Sequence, residues 1–186
     1  MILAGGASRR FGSPKGLARL NGERLIDIVR ARLRQQISGP IAVSTAQTGS
    51  FADLGYALVP DRHIGQPGPL AGLYAAMHWA GTRGYGNVVT VPVDVPFLPL
   101  DLITKLRSVS SPAIAASGDR AHPVCGVWPI AVKDDLNAQI GGGMRAAHAW
   151  ADHCKATAVH FADNSAGRDP FFNINTPEDL AKAQSF

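Results

Sequence analysis

A three-layer αβα sandwich around a mainly parallel, twisted sheet is the fold this 186-residue chain predicts, and three observations carry it. Short apolar segments alternate with stretches of helical periodicity from end to end, the order that builds βα units. The most apolar run, Asn87 to Val93, holds valines at 88, 89, 91 and 93 and reads as a central parallel strand covered on both faces. The 20 glycines and 13 prolines are dispersed, as many βα turns require, and no repeat, low-complexity tract or linker divides the chain, so one domain over 1–186 is expected.

The elements follow in order. Met1 to Ala4 is a short buried strand; the chain opens almost inside it, which leaves no room for a signal peptide and fits a start short of a few residues. Asn21-Gly22 makes a turn. Leu25, Ile26, Ile28, Val29 and Leu33 then recur at helical spacing, with Arg24, Arg30, Arg32 and Arg34 on a solvated opposite face. Strands are expected over Ile41–Ser44 and Tyr56–Val59, with a weak helix near Phe51 between them and a loop over 62–69 after them. Gly68-Pro69 starts a small-residue helix, Leu70 to Trp79, with Leu73, Met77 and Ala80 facing inward. After the valine strand, Pro96 and Pro99 stop further pairing before a helix near Leu100.

Ala113 to Ala116 is a further strand, Gly118-Asp119-Arg120 a turn, and Val124 to Trp128 the one antiparallel strand. Helices over Ala131–Ile140 and Met144–Ala151 flank Gly141-Gly142-Gly143, which is a break or a hinge, with the break favoured. Ala156 to Phe161 is the last strand. Thr176 caps the final helix, with Pro177 at its first position and Asp179 three residues on.

Composition narrows the function. Hydrophobic content of 46% and charge of 17% allow a sizeable core and argue against disorder. The formal charge of +4 is not gathered into a dense basic run, and aromatics at 7% form no stacking platform, so nucleic acid is not the expected partner. A small polyanion explains the excess more economically. Cys125 and Cys154, without metal spacing, read as reduced thiols of a cytoplasmic protein. No apolar run approaches the ~20 residues that span a bilayer, so no membrane is expected.

The segment Leu3-Ala4-Gly5-Gly6-Ala7-Ser8-Arg9-Arg10-Phe11-Gly12-Ser13-Pro14-Lys15 carries the chemistry. Glycines straight after a strand let backbone N–H groups close around anionic oxygen, and Arg10 and Lys15 add a planar fork and a mobile point charge. That asks for a polyphosphate; the plainer alternative is a Gly/Ser turn with two solvated arginines. The dinucleotide fingerprint is excluded because the next glycine after Gly5-Gly6 is Gly12, and the P-loop because Lys15 lies between Pro14 and Gly16. Two carboxylates end strands, Asp61 and Asp94, where ligands gather in open α/β sheets. A carboxylate at the tip of a central strand calls for a cation, and Mg²⁺ suits one that also meets phosphate oxygens and water. Gly72 and Ala71 would let a ligand approach a helix N-terminus. His122 either positions a second substrate or caps a turn. No Ser/His/Asp or Cys/His arrangement for covalent catalysis is visible.

The pattern Leu-Ala-Gly-Gly-x-Ser-x-Arg-x-Gly-x-x-Lys resembles the signature loop of nucleotidyltransferases. Gly68-Pro69-Leu70-Ala71-Gly72-Leu73, Asp94-Val95-Pro96-Phe97-Leu98-Pro99, His122-Pro123-Val124-Cys125-Gly126-Val127-Trp128 and Phe172-Asn173-Ile174-Asn175-Thr176-Pro177-Glu178-Asp179-Leu180 extend the likeness, in order, to the molybdenum cofactor guanylyltransferases. The resemblance implies a nucleotide-diphospho-sugar transferase-like fold and transfer of GMP from GTP to molybdopterin carrying molybdenum, with release of pyrophosphate. It implies nucleotide contacts at Leu3, Ala4, Gly5, Gly6, Lys15, Ser44, Asp61, Gly72 and Asp94, where Ser44 stands at a position the family often fills with asparagine. Catalytic roles fall to Arg10, Lys15 and Asp94. Mg²⁺ falls to Asp94 and one asparagine, Asn175 being favoured over Asn173. A monomer, with a molybdoenzyme-specific chaperone as onward partner, completes the expectation. Two alternatives stay open: a cytidylyltransferase of the same fold using CTP, and a catalytically silent module that delivers nucleotide or cofactor.

Overall fold

The computed structural model describes residues 1–5, 14–60, 68–164 and 166–186. In chain order the elements are β1 (Ile2–Leu3), β2 (Arg19–Leu20), β3 (Glu23–Arg24), α1 (Leu25–Arg34), β4 (Ala42–Ser44), α2 (Thr48–Phe51), β5 (Ala57–Val59), α3 (Pro69–Gly81), β6 (Asn87–Pro92), α4 (Leu102–Arg107), β7 (Ala113–Ser117), β8 (Arg120–Pro129), α5 (Lys133–Gly141), α6 (Ala147–His153), β9 (Thr157–His160) and α7 (Pro177–Gln184). β2 and β3 form a separate hairpin across Asn21 and Gly22, both at positive φ, the mirror-image turn that two-residue hairpins favour.

The main sheet has seven strands in the order β5-β4-β1-β6-β8-β7-β9. β8 runs antiparallel to both neighbours, and every other pairing is parallel. Alternate strand residues serve opposite layers. Ile2, Val43, Val91 and Ala113 pack on Ile26, Val29 and Leu33 of α1 and Leu102 and Leu106 of α4. Leu3, Ala42, Val88, Ile114 and Trp128 pack on Leu70, Leu73 and Met77 of α3, Leu136 of α5 and Trp150 of α6. The sandwich and its single antiparallel strand match the expectation.

Three differences from it have local causes. Helix α6 begins at Ala147 rather than Met144, because residues 143–145 are spent ending α5. Gly143 takes φ +102°, Met144 N–H donates to the Gln139 carbonyl at 2.9 Å, and Arg145 donates to the Ile140 carbonyl at 2.8 Å. The antiparallel strand runs further than Val124 to Trp128, from Arg120 to Pro129. The arginines of α1 are tethered rather than simply solvated: Arg32 donates to the Leu98 carbonyl at 2.9 Å, Arg34 to that of Gly39 at 2.8 Å, and Arg30 stacks on Tyr56. Among the described residues no helix is long and apolar enough to cross a membrane.

Candidate nucleotide and metal site

The chain leaves β1 for β4 and β5 on one side, then returns to β6 on the other, so the order reverses between β1 and β6. Crevices at such reversals, beyond the carboxyl ends of the strands, are where open α/β sheets take ligands. Here a cavity of about 360 Å³ opens there, lined by Leu3, Ala4 and Gly5 after β1, by Asp94 after β6 and by Gly68 and Gly72 at the start of α3. Backbone ladders hold the strand tips, with Ala4 N–H on the Ser44 carbonyl at 2.8 Å and Val93 N–H on that of Leu3 at 3.0 Å.

Lys15 enters from a single 3-10 turn, Lys15–Leu17. Gly16 lets that turn pack closely, since a Cβ there would meet Val93 Cγ2 at 3.0 Å and the Phe51 ring at 3.2 Å. Lys15 Nζ donates to Asp94 Oδ2 and to Asn175 Oδ1, both at 2.8 Å, with the Lys15 and Asp94 side chains 19% and 16% exposed. Asn175 is held in turn by the capping box of α7, where Asp179 Oδ2 accepts from the N–H groups of Asn175 and Thr176, both at 2.9 Å. Those N–H groups, Asn175's foremost, hold the Asp179 carboxyl below its ordinary range. Ile174 N–H donates to the Asp94 carbonyl at 2.9 Å, which fastens this segment to the tip of β6.

Two buried oxygens of cavity-lining residues, Asp94 Oδ1 and Asn173 Oδ1, have no hydrogen-bond partner among the described residues. A carboxylate oxygen and an amide oxygen left buried in this way on one cavity are costly unless a hard cation or a hydrogen-bond donor arrives. The residues present therefore fit a divalent ion of the magnesium kind. Asn175, favoured from the sequence, accepts from Lys15 through its Oδ1, whereas the buried Oδ1 of Asn173 has no partner among the described residues. Among the described residues no group of three or more His, Cys, Asp or Glu side chains converges, so substrate oxygens would have to complete the sphere.

The opposite wall is β8. Its ladder with β7 pairs Ile114 with Gly126, then Ala115 with His122, which leaves Pro123, Val124 and Cys125 without β7 partners. Gly126 makes the crossing possible, since a Cβ there would lie 2.7 Å from the Ala113 carbonyl. Thr90 Oγ1 donates to the displaced Val124 carbonyl at 2.9 Å and accepts from Trp128 Nε1 at 3.1 Å. The extra residues line the cavity together with Arg120 and His122. Burial pushes the Cys125 thiol well above its ordinary range, so it stays protonated and is no nucleophile.

Ser117, His122 and Asp169 do form a hydrogen-bonded cluster, though not one ordered for covalent catalysis. Ser117 Oγ donates to Asp169 Oδ1 at 2.8 Å and lies 2.8 Å from His122 Nε2. The serine sits between the other two and its O–H donates to the carboxylate, so the order differs from that of an activated nucleophile. Nothing in the spacing of Ser117, His122 and Asp169 signalled the cluster.

Of the other expected site residues, Leu3, Ala4, Gly5, Lys15, Gly72 and Asp94 all line the cavity. Ser44 is wholly buried at the end of β4, its Oγ 3.5 Å from where a Gly72 Cβ would stand, and it is not a lining residue. Gly6, Arg10 and Asp61 lie outside the described residues.

Comparisons with known proteins agree with this geometry. The family model described as the MobA-like NTP transferase domain matches residues 1–161. The chain is 42% identical to the molybdenum cofactor guanylyltransferase of Rhizobium leguminosarum bv. trifolii, covering 99% of this chain and 90% of that one. It is 38% identical to the enzyme of the same name from Cereibacter sphaeroides, covering 100% and 94%. Among solved structures, molybdopterin-guanine dinucleotide biosynthesis protein A from Archaeoglobus fulgidus has the same fold, with a TM-score of 0.73, 24% identity and coverage of 99% and 95%. A switch-point crevice with a lysine, a strand-tip carboxylate and orphaned oxygens, in a chain this similar to those enzymes over its length, places it in the MobA-like NTP transferases, in the molybdenum cofactor guanylyltransferase family.

Proposed function

We propose that this protein transfers GMP from GTP to the terminal phosphate of molybdopterin carrying molybdenum, releasing pyrophosphate and forming the guanine dinucleotide cofactor. The observation that carries the reading is the Lys15–Asp94–Asn175 cluster, with the orphaned oxygens of Asp94 and Asn173 beside it, at the mouth of the β1/β6 crevice. The relatives' names supply the substrates.

The reaction needs no protein nucleophile. An oxygen of the acceptor phosphate attacks the α-phosphorus of GTP in line, a new P–O bond forms, and the bond from the α-phosphorus to the bridging oxygen of pyrophosphate breaks. Catalysis is then alignment and charge neutralisation. The backbone after β1, with Gly5 and Gly6, holds the triphosphate, and Gly72 at the start of α3 and Asp61 contribute nucleotide contacts. Lys15, already 2.8 Å from Asp94, offers its ammonium to charge that builds on the departing pyrophosphate, with Arg10 as a second cation. Asp94 and Asn173, through their Oδ1 atoms, would hold the divalent ion, Mg²⁺ in the cell, with Asn175 engaged by Lys15. When bound, that ion neutralises phosphate oxygens and helps orient them. The protein works as a cytoplasmic monomer and passes its product to a molybdoenzyme through a dedicated chaperone.

Pyrophosphate release with Mg²⁺, molybdenum-loaded molybdopterin and each of GTP, CTP, ATP and UTP tests this. GTP alone is expected to support release. Preference for CTP would move the protein to a cytidylyltransferase role, and GTP binding without release would make it a delivery module.

A further inference from the structure

The Ser117–His122–Asp169 cluster is left without work by the mechanism above, and its proton order is determinate. An ionised carboxylate only accepts, and Asp169 Oδ1 already takes the Phe171 N–H at 2.8 Å, so the Ser117 proton goes to Asp169. The serine oxygen must then accept from His122, which puts the imidazole proton on Nε2. Burial holds the imidazole below its ordinary pKa, Asp169 pulling the other way and Arg120 reinforcing the burial, so at neutral pH Nδ1 carries a lone pair.

The ring cannot readily turn, because Phe171 stacks on it with centroids 4.6 Å apart. Nδ1 has no hydrogen-bond partner among the described residues and is not among the buried unpartnered atoms, so it is accessible, on a residue that lines the cavity. A fixed lone pair is the wrong group for a phosphate, which at pH 7 is largely a dianion and would be repelled. It suits an N–H or O–H donor, and the negative Asp169 behind the serine strengthens it as an acceptor.

We infer that Nδ1 of His122, its tautomer set by Ser117 and Asp169, accepts a hydrogen bond from a ring N–H or amino group of the acceptor's heterocycle. The β8 wall thus recognises the head of the second substrate and leaves its phosphate to the Lys15 wall. Ser117 and Asp169 are positioning residues. The identity of that heterocycle as a pterin rests on the function proposed above.

The test is equilibrium binding of a free reduced pterin, which has the heterocycle's donors and no phosphate, to the full chain, with thermal midpoints and GTP turnover measured in parallel. His122→Phe keeps the stack on Phe171 and removes the acceptor, and about a tenfold loss of pterin affinity is expected, the scale of a donor left unpaired. His122→Asn places an amide oxygen near the Nδ1 position and should recover most of that loss. Ser117→Ala frees the tautomer and should fall between the two. Pterin binding that is absent from the wild-type protein, unchanged in His122→Phe, or equally lost in His122→Asn would overturn the inference. Failure of turnover with intact, His122-dependent pterin binding would instead overturn guanylyl transfer and leave this assignment standing.

Discussion

On the wall formed by the ends of β1 and β6 the cavity is built from charge and hard oxygen: Lys15 between Asp94 and Asn175, with two oxygens unpartnered among the described residues. On the β8 wall, beside the Arg120 guanidinium, it is built from neutral dipoles passed along a chain, from His122 through Ser117 to a carboxylate set behind them. The first arrangement suits phosphate that gains and loses charge during reaction. The second suits a polar, uncharged surface that must be oriented and not transformed. The contrast says that one cavity does two kinds of recognition, and that the dividing line is the place where β8 leaves the β7 ladder.

Breaking the charged wall should give the largest effects. Asp94→Ala removes the carboxylate at the strand tip, and turnover should fall by about a thousandfold or more, the upper range for loss of one electrostatic element, in a steady-state pyrophosphate assay. The fold should survive, because Asp94 lies beyond the last residue of β6. Lys15→Met keeps the stem and loses the cation. A loss of about a hundredfold in kcat is expected, smaller than for Asp94 because Arg10, five positions earlier in the sequence, remains as the proposed second cation. The smallest effect belongs to the support. Thr176→Ala breaks the capping box whose Asp179 holds the Asn175 backbone, and about 1 kcal/mol of stability should go, read as a lower thermal midpoint, with a few-fold loss of turnover. None of the three should weaken the binding of a free pterin, and a variant that did so would join the two walls.

The charged wall was legible in the sequence and the neutral wall was not. Asp94 announced itself as a carboxylate ending a valine-rich strand, Lys15 as the basic residue after a glycine-rich turn, and the α7 cap as Thr-Pro-x-Asp. Each of these signals is local. The β8 wall depends on three residues leaving the ladder, which turns on the Gly126 crossing under the Ala113 carbonyl and on Thr90 receiving the Val124 carbonyl, contacts that no window of sequence contains. Asp169 reaches Ser117 across 52 positions, so the cluster exists only once β7 and the segment before α7 are side by side. The contact between Lys15 and Asn175 was likewise unreadable, because 160 positions separate the two. The packing of the Ser44 hydroxyl toward Gly72 of α3 is a further contact that only the fold creates.

The central claim is that the buried Oδ1 atoms of Asp94 and Asn173 exist to hold a divalent ion against the nucleotide. It is tested most directly by titrating Mn²⁺, which reports on a magnesium-type site through its spin resonance, into wild-type protein and Asp94→Ala, each saturated with GTP. The account predicts protein-bound Mn²⁺ in the wild type, competed away by Mg²⁺, and in Asp94→Ala only the signal of Mn²⁺ held by GTP in solution. The same protein-bound signal in both proteins would contradict it.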